Sequence, residues 1–331
     1  MKHWLASVVA LGLAACASVE SRVPQSLNEI ARDYVRLVLE VDAHESGYVD
    51  AYFGPTEWRD EARKNPRARP ELKSEADRLQ AALRSYRTDD PEQAQRAKVL
   101  RADIASARFR LDMIDGERLP FADEAERLFA LRPTLRPLES YDAALARIDQ
   151  LVPGRGDLAA RVQTFRNRYL VPPDRLDEVM EAAIAECRRR TAAHFPLPEN
   201  ERFELELVRN QPWGAYNWYR GDNHSLIQVN TDQPIYIDAA IGYGCHEGYP
   251  GHHVQGISAE RMYRERGYVE YSVMPLFSPQ GPLNEGGGNY GVDLAFPGGE
   301  RLAFERETLY PLAGLDPASA DAYETLSTAL D

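Results

Sequence analysis

The chain has 331 residues, of which 44% are hydrophobic and 27% charged, and its formal net charge is −13. This composition is typical of a soluble globular protein with a substantial core and excludes a disordered chain. An acidic chain repels nucleic acid, and the sequence has no basic stripe with interleaved aromatic residues to overcome that repulsion. We therefore expect no nucleic-acid partner.

The first fifteen residues have the features of an export signal. A positive charge at Lys2 is followed by the apolar residues 4–13 and then by small residues up to Cys16. The apolar run is too short for a permanent membrane helix. The tetrad Leu-Ala-Ala-Cys ending at Cys16 resembles a bacterial lipobox, so we predict a lipoprotein signal peptide over 1–15 and a lipid on Cys16 that attaches the protein to the membrane. An ordinary cleaved signal with a chance cysteine is the alternative.

The predicted address is the bacterial cell envelope. Ala17 follows the cysteine where an Asp would favour the inner membrane, which points to the outer membrane and the periplasm. Beyond Cys16 only Cys187 and Cys245 remain, so one disulfide can form in an oxidising compartment. Cys245 directly precedes His246, and we expect it to be a small buried residue rather than a metal ligand or nucleophile.

Residues 27–195 are predicted to form a helical scaffold after a short polar tether at 16–26. Apolar residues recur there at helical spacing among residues that favour helices. The two clearest apolar faces are Leu72, Leu79 and Leu83, and Leu100, Ile104, Ala107, Leu111 and Ile114. Further helical segments are predicted at 27–43, 122–131, 140–151, 157–167 and 173–193. No combination of residues between 20 and 195 suggests chemistry.

The pattern changes after the Pro-Leu-Pro run at 196–198. Residues 202–208 alternate apolar side chains with Glu, which predicts a strand. A Gly-Asp-Asn turn at 221–223 and a second extended piece at 235–237 follow. We therefore predict a mainly α fold with a small antiparallel sheet over 202–237, and one domain in which the sheet and metal-site helices of 196–331 join the scaffold.

The octapeptide HEGYPGHH contains His246, Glu247, His252 and His253. A His-Glu pair followed within two turns by another His is typical of zinc hydrolases. Neutral imidazoles bind the metal there, and the adjacent carboxylate acts as general base on the coordinated water. Histidine pairs and His-Glu dipeptides also occur by chance, but this combination rarely does.

The spacing departs from the usual one, in which the second His follows the first by four residues on one helix face. Pro250 occupies that position here. On a regular helix His253 would lie roughly 10 Å along the axis from His246, and His252 well round it. A break at Pro250-Gly251 can bring one of the two into position. The other would then contact substrate or a carboxylate behind the site, and the sequence leaves that choice open.

A third ligand is expected from a second helix about thirty residues downstream. The best candidate is Glu285, in a Leu-Asn-Glu-Gly run, with Asp293 as an alternative behind the metal ligands. The glycines at 286–288 weaken a helix but permit substrate or another backbone to approach closely. Histidine and carboxylate ligands favour zinc over manganese or iron.

Four segments of the chain resemble the DUF885 family of predicted zinc peptidases, many of which are bacterial lipoproteins. These segments are HEGYPGHH, NEGGGNYGVDLAFPG, YNWYRGDNHSLIQVNTDQPIYID and GYVDAYFGPTEW. The Asn-Glu-Gly run also resembles the gluzincin peptidases, in which that Glu completes the metal site. The resemblance implies a largely helical peptidase-like fold and a site formed by His246, Glu247, His252, His253 and Glu285.

The chain departs from the family at two places. Many members have an EGWALY-type run where this sequence reads Glu-Gly-Gly-Gly-Asn-Tyr at 285–290. Members also usually continue past the position of Asp331, and a missing helical segment there would leave the site open or incomplete. Tyr290 is a further catalytic candidate because its hydroxyl can stabilise a developing oxyanion, although a packed tyrosine explains it equally simply.

Three functions compete at this point. The first is a zinc-dependent peptidase that acts on peptides at the envelope. The second is a metal-binding or metal-free lipoprotein without catalysis, a pseudoenzyme. The third is a zinc amidase or esterase with a non-peptide substrate. Glu247 discriminates between the first two, because a peptidase needs it as base and a binding protein tolerates Gln.

Overall fold

The computed structural model describes residues 26–330 and confirms the mainly α fold. The predicted signal peptide and Cys16 lie outside these residues. The N-terminal helices are α1 (Leu27–His44), α2 (Thr56–Lys64), α3 (Arg69–Ser85), α4 (Pro91–Ile114), α5 (Phe121–Phe129), α6 (Asp142–Leu151), α7 (Leu158–Arg166) and α8 (Leu176–Ala192). The C-terminal helices are α9 (Ile237–Tyr243), α10 (His252–Arg266), α11 (Gly281–Ala295), α12 (Glu300–Phe304), α13 (Tyr310–Leu312) and α14 (Ala320–Leu330). Across this part of the chain, no helix has the length and apolar character needed to cross a membrane.

The helices predicted for the N-terminal scaffold are present, and their apolar faces pack against one another. Helix α1 begins with a capping box, in which the Ser26 hydroxyl accepts from the Glu29 amide and the Glu29 carboxylate accepts from the Ser26 amide. This box satisfies two amides that the first turn leaves unpaired. The apolar faces of α1, α3 and α4 then bury one another in a continuous N-terminal core.

A three-stranded sheet lies directly before the metal-site helices, as predicted. Its strands are β2 (Arg202–Val208), β3 (Ala215–Gly221) and β4 (His224–Asn230), in the order β2-β4-β3. Strands β3 and β4 form the predicted antiparallel hairpin, whose turn places Asp222 and Asn223 at positive φ. Because β4 lies between β2 and β3, β2 runs parallel to β4, and the sheet is mixed rather than wholly antiparallel. The expected extended piece at 235–237 contributes only one bridge, Tyr236 to Leu170, before α9 begins.

A second, two-stranded sheet connects the two halves of the chain. Strand β1 (Val49–Tyr52) pairs antiparallel with β5 (Val273–Pro275), although the sequence gives no strand signal at either place. This pairing brings the segment after α1 against the segment that leads into α11. Side chains from β1 and β5 therefore reach the cavity beside the HEGYPGHH segment.

The C-terminal core surrounds the segment that carries the motif. Helix α8 packs against α9 and against the turn that follows it. Cys187 on α8 and Cys245 in that turn are both fully buried and form a disulfide. Cys245 is therefore a buried structural residue, as predicted, and its sulfur is held by Cys187.

Candidate metal centre

The HEGYPGHH segment is not a continuous α-helix. Helix α9 runs into a π-helical turn, Gly244–Gly248, which carries His246 and Glu247, and the chain then breaks before α10 begins at His252. The expected failure of a regular helix at Pro250-Gly251 is confirmed. Gly251 is required there, because a Cβ at this position would lie 1.8 Å from the His246 carbonyl oxygen.

The break brings His246, His252 and Glu285 to one point. One ligand atom from each lies within 4.8 Å of the others. The Nε2 atoms of His246 and His252 lie 3.4 Å and 3.5 Å from the two carboxylate oxygens of Glu285. These distances are long for hydrogen bonds. They match the separation of roughly 3.3 Å between ligands bound at about 2.0–2.1 Å to a tetrahedral zinc. The three residues could therefore hold a metal ion of this size.

The second ring nitrogen of each histidine is fixed by an amide side chain. His246 Nδ1 lies 3.1 Å from Asn289 Oδ1, and His252 Nδ1 lies 2.9 Å from Gln255 Oε1. An amide oxygen can only accept, so each Nδ1 carries a proton, and each Nε2 is the nitrogen that faces Glu285. Gln255 also donates to the Asn284 carbonyl at 2.9 Å, which joins α10 to α11. Outer contacts of this kind orient metal-binding histidines.

Helix α11 supplies Glu285 from a glycine-rich stretch, as the sequence predicts. Its glycines have different surroundings. A Cβ on Gly288 would lie 2.8 Å from the His246 ring, whereas a Cβ on Gly286 would meet nothing within 4 Å. Gly288 therefore permits the close approach of His246 to α11. It follows Glu285 by three residues, so α-helical spacing places the two next to each other on one face of the helix.

Opposite charges within the cluster stabilise each other. The imidazoles of His246 and His252 hold the pKa of Glu285 well below its usual range. Burial opposes a charge on His252, but Glu285, Gln255 and Glu247 outweigh that penalty and raise the pKa of His252 to about 9. Glu285 and His252 thus stabilise each other's charged forms when no metal is bound. Metal binding would release the extra proton of His252, because only a neutral imidazole can ligate.

Glu247 lies in the wall of the same cavity without joining the three-residue cluster. Its side chain is buried, and this burial raises the pKa of Glu247, while the nearby His252 and His246 oppose the shift. Its backbone carbonyl accepts from Asn217 Nδ2 at 2.6 Å, which holds the π-helical turn against β3. Glu247 is therefore placed in the wall of the cavity that holds the candidate metal ligands.

His253 does not join the cluster, although it follows His252 directly. Its imidazole is fully buried, with Nε2 3.2 Å from Glu201 and Nδ1 2.8 Å from the Ser225 hydroxyl. Both ring nitrogens are thus engaged by protein groups, which leaves neither for a metal. The sequence left His252 and His253 as alternatives, and this structure places His252 with the ligands and His253 against a carboxylate behind them.

Glu201 is the centre of the network behind the site. It accepts from His253, from the Tyr249 hydroxyl and from Arg188 Nε at 2.6 Å. Burial opposes ionisation of Glu201, but these three donors outweigh it and lower its pKa to about 2. The network joins α8, the break after the π-helical turn and α10, so it fixes the relative positions of the segments that carry His246 and His252.

Tyr290 and Asp293 are not brought into the site. Both lie on exposed positions of α11, and 61% of Tyr290 is exposed. Five residues along an α-helix correspond to roughly 140° of rotation, so Tyr290 faces away from the side that carries Glu285.

Other residues line the cavity, which has a volume of about 260 Å³ and was not fully foreseen from the sequence. Asp50 on β1 and Tyr216 on β3 lie in its wall, and the Tyr216 hydroxyl donates to the Asp50 carboxylate. Asp50 comes from the GYVDAYFGPTEW segment and Tyr216 from the YNWYRGDNHSLIQVNTDQPIYID segment. The sequence could have indicated Asp50 and Tyr216 only through the segments that resemble the family, because both residues lie in such segments.

Fold and site together define a mainly α protein with a candidate three-ligand metal centre beside a buried glutamate. The chain matches no protein-family model, no curated protein and no solved structure. Its resemblance to the DUF885 family therefore remains a prediction from the quoted segments.

Proposed function

We propose that this protein is a zinc-dependent hydrolase that cleaves peptide bonds, and that it is a member of the DUF885 family. The observation that carries the proposal is the convergence of His246, His252 and Glu285 on one point, with Glu247 in the same cavity wall. Two imidazoles and one carboxylate with an open fourth position are the ligand set of catalytic rather than structural zinc sites.

The roles of the residues follow from their positions. His246, His252 and Glu285 would hold the ion, and bound zinc would lower the pKa of water and polarise the substrate carbonyl. Glu247 accepts the proton of the attacking water and passes it to the leaving amine. Asn289 and Gln255 keep the two imidazoles in the ligating tautomer.

Tyr216 replaces Tyr290 as the proposed phenol of the site. It lines the cavity, and its hydroxyl is oriented by Asp50. Burial raises the pKa of Tyr216 far above the working range, and Asp50 adds to that shift, so the hydroxyl keeps its proton. A phenol has one proton, so donation to the oxygen on which negative charge develops requires the Tyr216 hydroxyl to turn that proton away from Asp50.

The sheet supports a peptide over a small ester or amide. Strand β3 lies at an edge of the three-stranded sheet, and Ala215, Tyr216, Asn217 and Tyr219 on this strand line the cavity. An extended peptide can add to an exposed sheet edge through backbone hydrogen bonds. A peptide aligned in this way would lie along the wall of the cavity that holds the candidate ligands.

We place the protein in the bacterial envelope, attached to the outer membrane through a lipid on Cys16. The support is the lipobox-like sequence, together with the disulfide between Cys187 and Cys245, a bond typical of oxidising compartments. Replacement by Cys16→Ser should abolish lipid labelling and release the protein from the membrane fraction. Unchanged membrane attachment in this variant would contradict the lipid anchor.

The test of the hydrolase is digestion of a mixed peptide library by the zinc-loaded protein, with products identified by mass spectrometry. Cleavage that disappears with a chelator and returns with zinc is the expected result. Absence of cleavage by the zinc-loaded protein would favour the non-catalytic metal-binding lipoprotein instead.

A further inference from the structure

A second cavity, of about 440 Å³, adjoins the metal-site cavity. The two share Gln255, Met274, Pro275 and Asn284 as wall residues. We name this second cavity the Asp103 pocket, after the carboxylate in its wall. A ligand that occupies the metal-site cavity therefore has a neighbouring space into which one of its groups can extend.

Asp103 is a charged residue on the buried face of α4. Only 7% of it is exposed, and its Oδ1 is buried without a hydrogen-bond partner anywhere in residues 26–330. A buried ionised carboxylate without a partner is strongly destabilising. Because Asp103 lies in the wall of a cavity, a bound ligand could supply the partner that its carboxylate lacks.

The other charges of the pocket cancel. Arg96 forms a two-pronged ion pair with Glu270, with its Nε and Nη2 atoms 2.5 Å and 2.9 Å from the two carboxylate oxygens. The third donor, Nη1, is 2.6 Å from Asn28 Oδ1. Three of the five N–H groups of Arg96 are thus bonded to Glu270 and Asn28, and none is bonded to Asp103 Oδ1. Ionisation of Asp103 would therefore leave the pocket with a net negative charge, which favours a cationic ligand.

The remaining wall suits a hydrocarbon chain. It includes Val99, Leu100, Val254, Ala259, Met262 and Val273. Lysine and arginine side chains combine an apolar stem with a charged end, and they bury the stem along apolar surface. The free amino terminus of a peptide has the same ammonium chemistry but no such stem.

We infer that the Asp103 pocket binds the basic side chain of a peptide substrate, whose cation pairs with the Asp103 carboxylate. The inference rests on the proposed peptidase function, because the pocket adjoins the cavity where the bond would be cleaved. Burial, with a smaller contribution from Glu270, raises the pKa of Asp103 to about 7. A bound cation would hold the carboxylate in its charged form.

The test compares matched peptides that contain either lysine or norleucine next to the scissile bond, each with a free or an acetylated amino terminus. Norleucine keeps the apolar stem and removes the charge. The expected preference of the zinc-loaded protein for lysine in kcat/KM is about 10- to 100-fold, the usual worth of one buried charged hydrogen bond. This preference should be independent of acetylation.

Asp103→Asn should abolish the preference for lysine over norleucine in kcat/KM. Asp103→Leu provides a second uncharged variant, and the thermal melting of both shows that they are folded. Asp293→Asn is the matched control, since it removes one exposed acidic charge from α11 without touching the pocket. A preference that survives Asp103→Asn, or one that follows the free amino terminus, would overturn the inference.

A binding measurement separates this inference from the proposed function. Calorimetry with Nα-acetyl-lysine amide and Nα-acetyl-norleucine amide requires no hydrolysis. Asp103-dependent binding of the lysine compound by a protein that cleaves no peptide would keep the pocket and refute the peptidase. Peptide cleavage without any effect of Asp103 on cleavage or binding would keep the peptidase and refute the pocket.

Discussion

His252 and His253 are adjacent in the chain, but their imidazoles lie on different sides of α10. His252 faces Glu285, and His253 contacts Glu201 and Ser225. Successive residues of an α-helix are rotated by about 100°, so one of them points into the cavity and the other into the protein. The two residues therefore have different roles in this structure.

The first prediction follows from that difference. His252→Ala should lose bound zinc, whereas His253→Ala should retain it and lose roughly 2–4 kcal/mol of unfolding free energy, because a buried hydrogen-bonded network is broken. Zinc is measured by elemental analysis, and stability by urea titration with a chelator present so that metal binding does not contribute. Zinc lost from His253→Ala but kept by His252→Ala would contradict the assignment.

The second prediction separates the base from the ligand. Glu247→Gln should retain zinc and thermal stability, while peptide hydrolysis falls by roughly two to four orders of magnitude, the usual worth of a positioned acid–base group. Glu285→Gln should lose zinc affinity along with activity, because a neutral amide replaces an anionic ligand. The reverse pattern of zinc retention in the two variants would show that the roles are exchanged.

The third prediction compares two glycines of α11. Gly288→Ala places a methyl group against the His246 ring, so zinc affinity should fall by about 10- to 100-fold, the usual cost of disturbing how a metal ligand is oriented. Gly286→Ala is the matched control, because open space surrounds that position. This variant should keep its zinc affinity and gain up to about 1 kcal/mol from helix propensity. Equal zinc affinity in both variants would remove Gly288 from the site.

The fourth prediction concerns pH and Asp103. Burial raises the pKa of Asp103 from its ordinary 3.8 to about 7, so between these values the native state binds more protons than the unfolded state. The parent protein therefore loses stability as the pH rises through this interval, and the loss is complete above it. Asp103→Asn lacks this loss and should be roughly 2–4 kcal/mol more stable at pH 8, with little difference near pH 4.

Urea titrations of both proteins across this range measure the difference. Glu305, whose pKa burial raises to about 8, contributes to the pH dependence of both proteins equally and cancels. A constant difference between the two proteins at all pH values would show that Asp103 is not the titrating group.

The sequence predicted the local elements well because their determinants are local. The alternation at 202–208 corresponds to β2 residue for residue, and the Pro250-Gly251 pair marks the break between the π-helical turn and α10. Glu285 was found because it lies in a short recognisable run on a helix. Each of these signals is complete within about ten residues of chain.

What the sequence did not predict depends on distant contacts. The parallel pairing of β2 with β4 results from the insertion of β4 between β2 and β3. Asp50 reaches the cavity because β1 pairs with β5, more than two hundred residues later. Whether His252 or His253 faces the cavity depends on where α10 begins, because the start of the helix sets the direction of each side chain. The sequence does mark Asp103 as unusual, because this acidic residue lies between Leu100 and Ala107 on the apolar face of α4.

The bond between Cys187 and Cys245 bears on how this protein must be produced. In a reducing cytoplasm both residues would remain thiols while the chain folds. The π-helical turn that carries His246 would then lack its covalent link to α8, and two thiols would remain that can react when the chain unfolds. Recombinant protein should therefore be produced under oxidising conditions, or be oxidised before its metal content is measured.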